Sequence, residues 1–93
     1  MIKSFRHKGL KDLFFFGNKK GVEAKYAKRL EVLLDFLENA TSPKDMGFSP
    51  VNELHELKGD RKGTWAVTVK ENWRITFCFE GDDAADIDLE DYH

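Results

Sequence analysis

Cysteine is nearly absent: Cys78 is the only one in 93 residues. No intrachain disulfide can form, which suits a reducing cytoplasm. Long apolar runs are missing too. The longest is Leu13-Phe14-Phe15-Phe16, against the ~18 residues that a membrane span needs. Met1-Ile2-Lys3-Ser4-Phe5 has no apolar core of the signal-peptide kind. A cytoplasmic chain without a membrane partner is expected. The three histidines and the cysteine lack zinc-like spacing. The acidic stretch from Asp82 to Asp91 lacks the glycine of a calcium loop. Gly59-Asp60-Arg61-Lys62-Gly63 does not match a phosphate-binding loop. Neither a metal nor a cofactor is expected. No repeat, linker or low-complexity segment breaks the chain, so residues 1–93 read as a single domain.

Basic residues are absent from the end of the chain. All 15 Lys and Arg lie in residues 1–74, against ten Asp and Glu there, a surplus of five positive charges. Residues 75–93 carry seven acids and no Lys or Arg. The net charge of -2 therefore hides a bipolar molecule. Such a molecule can turn a basic face toward phosphate.

What is present patterns as α+β. Ile2-Lys3-Ser4-Phe5 alternates like a short strand. Leu10, Leu13 and Phe14 predict a helix from Lys8 to Phe16, stopped by Gly17-Asn18. Tyr26, Leu30, Leu33 and Leu37, widened by Leu34, predict a second helix from Val22 to about Asn39. Ser42-Pro43-Lys44-Asp45 has the makings of an N-cap and one short helical turn, ended by Gly47. Leu54 to Lys58 suits a strand closed by Gly59-Asp60. Trp65, Val67 and Val69 alternate with polar or small residues, as do Trp73, Ile75, Phe77 and Phe79. A three-residue loop, Lys70-Glu71-Asn72, would set Val69 opposite Trp73, Val67 opposite Ile75 and Arg74 across from Thr68. Ala85 to Tyr92 is the last predicted strand, with Ile87 and Leu89 inward and Asp86, Asp88, Glu90 and Tyr92 on the other face. The expected fold is an N-terminal helix hairpin packed on one face of a small, mostly antiparallel sheet.

The polar sheet face gathers groups that suit RNA cleavage. In the metal-free reaction the 2′-hydroxyl attacks the adjacent phosphorus and the 5′-oxygen leaves. A base, a cation and an acid each help. Arg74 is the first candidate for the phosphate, since a guanidinium stays charged and can grip two oxygens. From the residue alone, the favoured reading is a surface arginine paired with an acid of the last strand. His93 could serve as acid or base. The terminal carboxylate and Asp91 should favour its charged form. Tyr92 offers a phenol and a stacking face. Lys58, Arg61 and Lys62 cluster at one turn and could hold backbone phosphates, or could simply be solvated.

These segments resemble a known family. Met1-Ile2-Lys3-Ser4-Phe5, Leu54-His55-Glu56-Leu57-Lys58-Gly59-Asp60-Arg61, Asn72-Trp73-Arg74-Ile75-Thr76-Phe77 and Glu90-Asp91-Tyr92-His93 are similar to the HigB toxins, a branch of the RelE-like superfamily of plasmid maintenance killer proteins. The likeness runs the length of the chain. It implies the RelE-like microbial RNase toxin fold and a type II toxin that cuts mRNA in the ribosomal A site. It also implies a HigA-type antitoxin with a helix-turn-helix fold. By position it implies His55, Arg74, Asp91, Tyr92 and His93 as working residues. Lys58, Arg61, Lys62 and Lys70 are the candidate RNA contacts. A different class of function fits the same fold: a non-catalytic module that binds a ribosome or an antitoxin.

Overall fold

The computed structural model describes residues 1–92. Helix α1 (Lys8–Phe16) has the bounds that its apolar spacing predicts. His7 caps it, its Nδ1 accepting the Leu10 amide at 3.1 Å. Gly17 ends it in the left-handed region at φ 67°, and the Asn18 amide reaches back to the Asp12 carbonyl. Gly9 and Gly21 meet where α1 crosses the connector. A Cβ on Gly9 would stand 2.2 Å from the Gly21 carbonyl oxygen, so this approach requires glycine.

Helix α2 (Ala27–Asn39) starts later than its apolar stripe suggests, because Ala24–Tyr26 forms a tighter 3-10 turn first. Leu30, Leu33, Leu34 and Leu37 are buried along one stripe. The Ser42 side chain makes no capping bond in the following 3-10 turn, Pro43–Gly47. The expected cap is replaced by its reverse: the Asp45 carboxylate accepts from the Thr41 amide at 2.9 Å. A second short turn, Pro50–Asn52, leads into the sheet.

Four antiparallel strands follow in sheet order: β1 (His55–Glu56), β2 (Trp65–Lys70), β3 (Trp73–Glu80) and β4 (Asp83–Asp91). β1 is shorter than the predicted Leu54–Lys58, cut off by the 3-10 turn Gly59–Arg61. Gly59 itself adopts φ 71°. Residues Ile2 and Phe5 do not form a full strand. They make two parallel bridges to Ala84 and Ile87 of β4. The described helices include none long and apolar enough to cross a membrane.

The β2–β3 register keeps the predicted pairs Val67–Ile75 and Thr68–Arg74. The loop differs. A bulge between Thr68 and Lys70 sets Lys70, in place of Val69, across from Trp73, and the turn shrinks to Glu71-Asn72. Glu71 takes φ 55° in that turn. A second bulge, between Thr76 and Cys78, carries Asp86 at φ 53°. It re-phases β4 so that Ala84 and Ile87 both reach the core.

One hydrophobic core joins the leucines of both helices to Val67, Val69, Ile75, Phe77, Ala84 and Ile87. The helices thus cover one sheet face. The other face carries Thr68, Arg74, Thr76, Asp88 and Glu90, which pair directly with one another. The predicted α+β arrangement of a helix hairpin on a mostly antiparallel sheet is the one observed.

Candidate active site on the open face of the sheet

Arg74 sits near the centre of that open face, its side chain 15% exposed. Thr68 flanks it on β2 and Glu90 on β4. The Tyr92 ring covers it, with Cζ 4.6 Å from the ring centroid. This is a cation–π contact. Tyr92 is not left to fray, since its amide donates to the Asn72 carbonyl at 3.1 Å. The hairpin turn before β3 therefore fixes the residue that lies over Arg74.

Glu90 organises the cations. Arg61 grips it with two hydrogen bonds, Nη1 to Oε1 at 3.0 Å and Nη2 to Oε2 at 2.6 Å. Thr76 Oγ1 donates to Oε2 at 2.8 Å. Arg74 Nη2 reaches Oε1 at only 3.4 Å. Led by the Arg61 hydrogen bond, these donors hold the Glu90 carboxyl down at about 2 despite partial burial. The same pairing raises Arg61 above its ordinary value. Arg74 Nε is buried and has no hydrogen-bond partner among the described residues. An unsatisfied buried donor on a charged side chain is costly unless a ligand completes it.

His55 is exposed on the same face, in the row His55–Ala66–Thr76–Asp88. That row lies beside the row of Arg74. Its Nδ1 lies 2.9 Å from the Glu53 carbonyl. A carbonyl only accepts, so Nδ1 carries the hydrogen and Nε2 of the neutral ring is the basic nitrogen. Lys58, Arg61 and Lys62 are exposed around the Gly59–Arg61 turn, and Arg61 brings that turn over the same face. Lys70 is exposed beside the bulge. Asp91 pairs with Trp73, which alternation puts on the opposite face from Arg74, and it accepts a hydrogen bond from Asn72 Nδ2. His93 lies outside the described residues.

Two participants, Glu90 and Thr76, have no site role by sequence alone. Their signal is the alternation Arg74, Thr76 on one strand and Asp88, Glu90 on the next. That pattern marks a shared face but does not show that Arg61 folds back onto it. Elsewhere on the sheet, the nearest thing to a metal-ligand set among the described residues is Cys78, Glu80 and Asp86, within 4.8 Å of one another. Burial pushes the Cys78 thiol up, which keeps it protonated, and Lys3 already takes Glu80 at 2.6 Å.

The fold is shared with solved structures of low sequence identity. A YafQ variant from E. coli matches with a TM-score of 0.67 at 17% identity, covering 98% of this chain and 91% of the other. A YoeB/ParE toxin from Agrobacterium tumefaciens matches with a TM-score of 0.64 at 18% identity, with both chains covered in full. Sequence narrows this further. The family model described as the RelE-like toxin of type II toxin-antitoxin system HigB matches residues 3–93, and the chain belongs to that HigB-like toxin family. A curated relative from Proteus vulgaris, named Endoribonuclease HigB, is 47% identical over 93 residues, covering all of both chains. A toxin of a type II system has an antitoxin as its partner.

Proposed function

We propose that this toxin is a metal-independent endoribonuclease that cuts mRNA in the ribosomal A site, with Arg74 at the scissile phosphate. The observation that carries this reading is the state of Arg74. It is held between Tyr92 and Glu90 with a buried Nε that no described residue satisfies. A phosphoryl oxygen is the acceptor that such a guanidinium suits best.

In the reaction, the 2′-oxygen bonds to phosphorus and the bond from phosphorus to the 5′-oxygen breaks. The 2′-hydroxyl proton goes to a base, and an acid supplies a proton to the 5′-oxygen. Arg74 stabilises the charge that builds on the phosphoryl oxygens. His55, with Nε2 as its basic nitrogen, suits the base. His93 suits the acid. Tyr92 orients a nucleotide against its ring. Each placed proton transfer contributes ~10²–10⁴-fold. Lys58 and Lys62 hold backbone phosphates, with Arg61 and Lys70 as further contacts. The neutralising partner is a HigA-type helix-turn-helix antitoxin, and both act in the cytoplasm.

Induction of the wild type and of Arg74→Ala at equal expression tests the reading. Growth arrest with A-site cuts only for the wild type supports it. Equal toxicity of the variant refutes the site. Stable ribosome association without any cut by the wild type would favour the non-catalytic alternative.

A further inference from the structure

A separate cavity of about 760 Å³ opens at the β2 edge of the sheet, lined by Lys25, Tyr26, Arg29, Val51 and the Thr68–Glu71 stretch. Its size lies in the range of ~300–1,000 Å³ typical of ligand pockets. It exists because β1 pairs with β2 only at Trp65 and Ala66. Beyond them no described strand covers the edge. Arg29 fills part of the gap. Its guanidinium donates to the Thr68 carbonyl at 2.8 Å, the Val69 carbonyl at 3.3 Å and Asn52 Oδ1 at 2.8 Å. All three acceptors are neutral, so its charge is not cancelled. Burial lowers its pKa from the ordinary value, yet a guanidinium stays protonated. Lys70 is exposed. Lys25 lies 5.2 Å from the Tyr26 ring centroid and only loosely, at 3.9 Å, from Glu23. Among the lining residues, three cations accompany one carboxylate, Glu71, and one aromatic ring.

The cavity lies at the strand next to that of Arg74. Thr68, one of its lining residues, is the direct cross-strand partner of Arg74. Adjacent strands lie ~4.8 Å apart, so Thr68 in the cavity lining is about one strand spacing from the Arg74 backbone. We infer that it is a second RNA subsite, in which Lys25, Arg29 and Lys70 take the phosphate of a flanking nucleotide and Tyr26 and Val51 contact its sugar or base. The inference rests on the RNA reading of the Arg74 face. It adds a second anchor, so that the strand is held on both sides of Thr68.

The test follows backbone amide shifts of the full chain titrated with a short 2′-O-methyl oligoribonucleotide, which cannot be cut. Tyr26, Val51 and Lys70 are expected to shift together with Arg74 and Tyr92, with one Kd. Lys25→Ala/Lys70→Ala is expected to weaken binding by about tenfold and to lower the salt slope by ~0.7 for each phosphate no longer neutralised. Lys44→Ala, on an exposed turn away from the cavity, is the matched control, with Kd unchanged. Shifts at Arg74 and Tyr92 without any at Tyr26 and Val51 overturn the subsite and leave the RNA reading standing. Shifts at Tyr26 and Val51 alone support the subsite and count against the Arg74 site. No shift at either place overturns both.

Discussion

Glu90 stands directly across the β3–β4 ladder from Arg74, yet its short hydrogen bonds go to Arg61 and Thr76. The Arg74 contact, at 3.4 Å, is the longest of the set. The carboxylate therefore orients Arg74 without saturating it. Arg61 supplies most of the compensation for Glu90, and Arg74 keeps an open donor for a ligand.

Stability should depend on Glu90 in a defined pH window. Its folded pKa of about 2 is below the ordinary 4.5. The contribution is complete above about pH 4.5 and is lost as pH falls through about 2. At 22% side-chain exposure it is on the order of 2–3 kcal/mol. Urea unfolding of the wild type and Glu90→Gln should differ most near pH 6 and converge toward pH 2. A gap that stays constant across that range contradicts the assignment.

Tyr92 should act through its ring as well as its hydroxyl. Tyr92→Phe keeps the face over Arg74, whereas Tyr92→Ala removes it. The expected loss of cleavage is within about tenfold for Phe and roughly 10²-fold for Ala, the first being at or below the low end of a proton-transfer contribution. Equal losses for the two variants would place the whole effect on the phenol.

Asn52 should be a stability residue. It is fully buried, donates to the Met46 carbonyl at 2.8 Å and accepts from Arg29. Asn52→Ala leaves both partners without it, a cost of ~1–3 kcal/mol. Thermal denaturation should show a drop of at least about 5 °C. An unchanged Tm would mean that water or relaxation replaces both bonds.

Gly9→Ala should destabilise by about 1–3 kcal/mol through overpacking, because the new methyl meets the Gly21 carbonyl. Gly81→Ala is a useful contrast: it meets no atom within 4 Å, and its strain comes only from φ 62°. If Gly9→Ala proves as stable as the wild type, the close crossing of α1 and the connector is wrong.

Much of this architecture is legible in the chain. Apolar spacing and Gly17 set the ends of α1, and two-residue alternation sets the faces of β2 and β3 well enough to put Arg74 across from Thr68. What alternation misses is phase. Bulges at Thr68/Lys70 and Thr76/Cys78 add a residue on one strand without leaving a compositional mark. The first moves Lys70 opposite Trp73. Capping at Ser42 departs from the expected pattern because Asp45 competes for the same turn and reaches the Thr41 amide. The site is partly visible. Arg74 and Tyr92 share a face by counting, while Asp91, one residue off that count, falls with Trp73. The Arg61–Glu90 clasp joins residues 29 apart in sequence, and no local pattern announces such a contact.

The central claim is that Arg74 supports 2′-hydroxyl attack on ribosome-bound mRNA, and the ends of the cut transcript test it most directly. Wild type and Arg74→Ala should be added to ribosomes programmed with a defined message, and both new termini analysed. The account predicts 2′,3′-cyclic phosphate and 5′-hydroxyl ends in the A-site codon, with cleavage by Arg74→Ala reduced by about 10²–10³-fold. Ends bearing a 5′-phosphate, or equal cutting by both proteins, would contradict it.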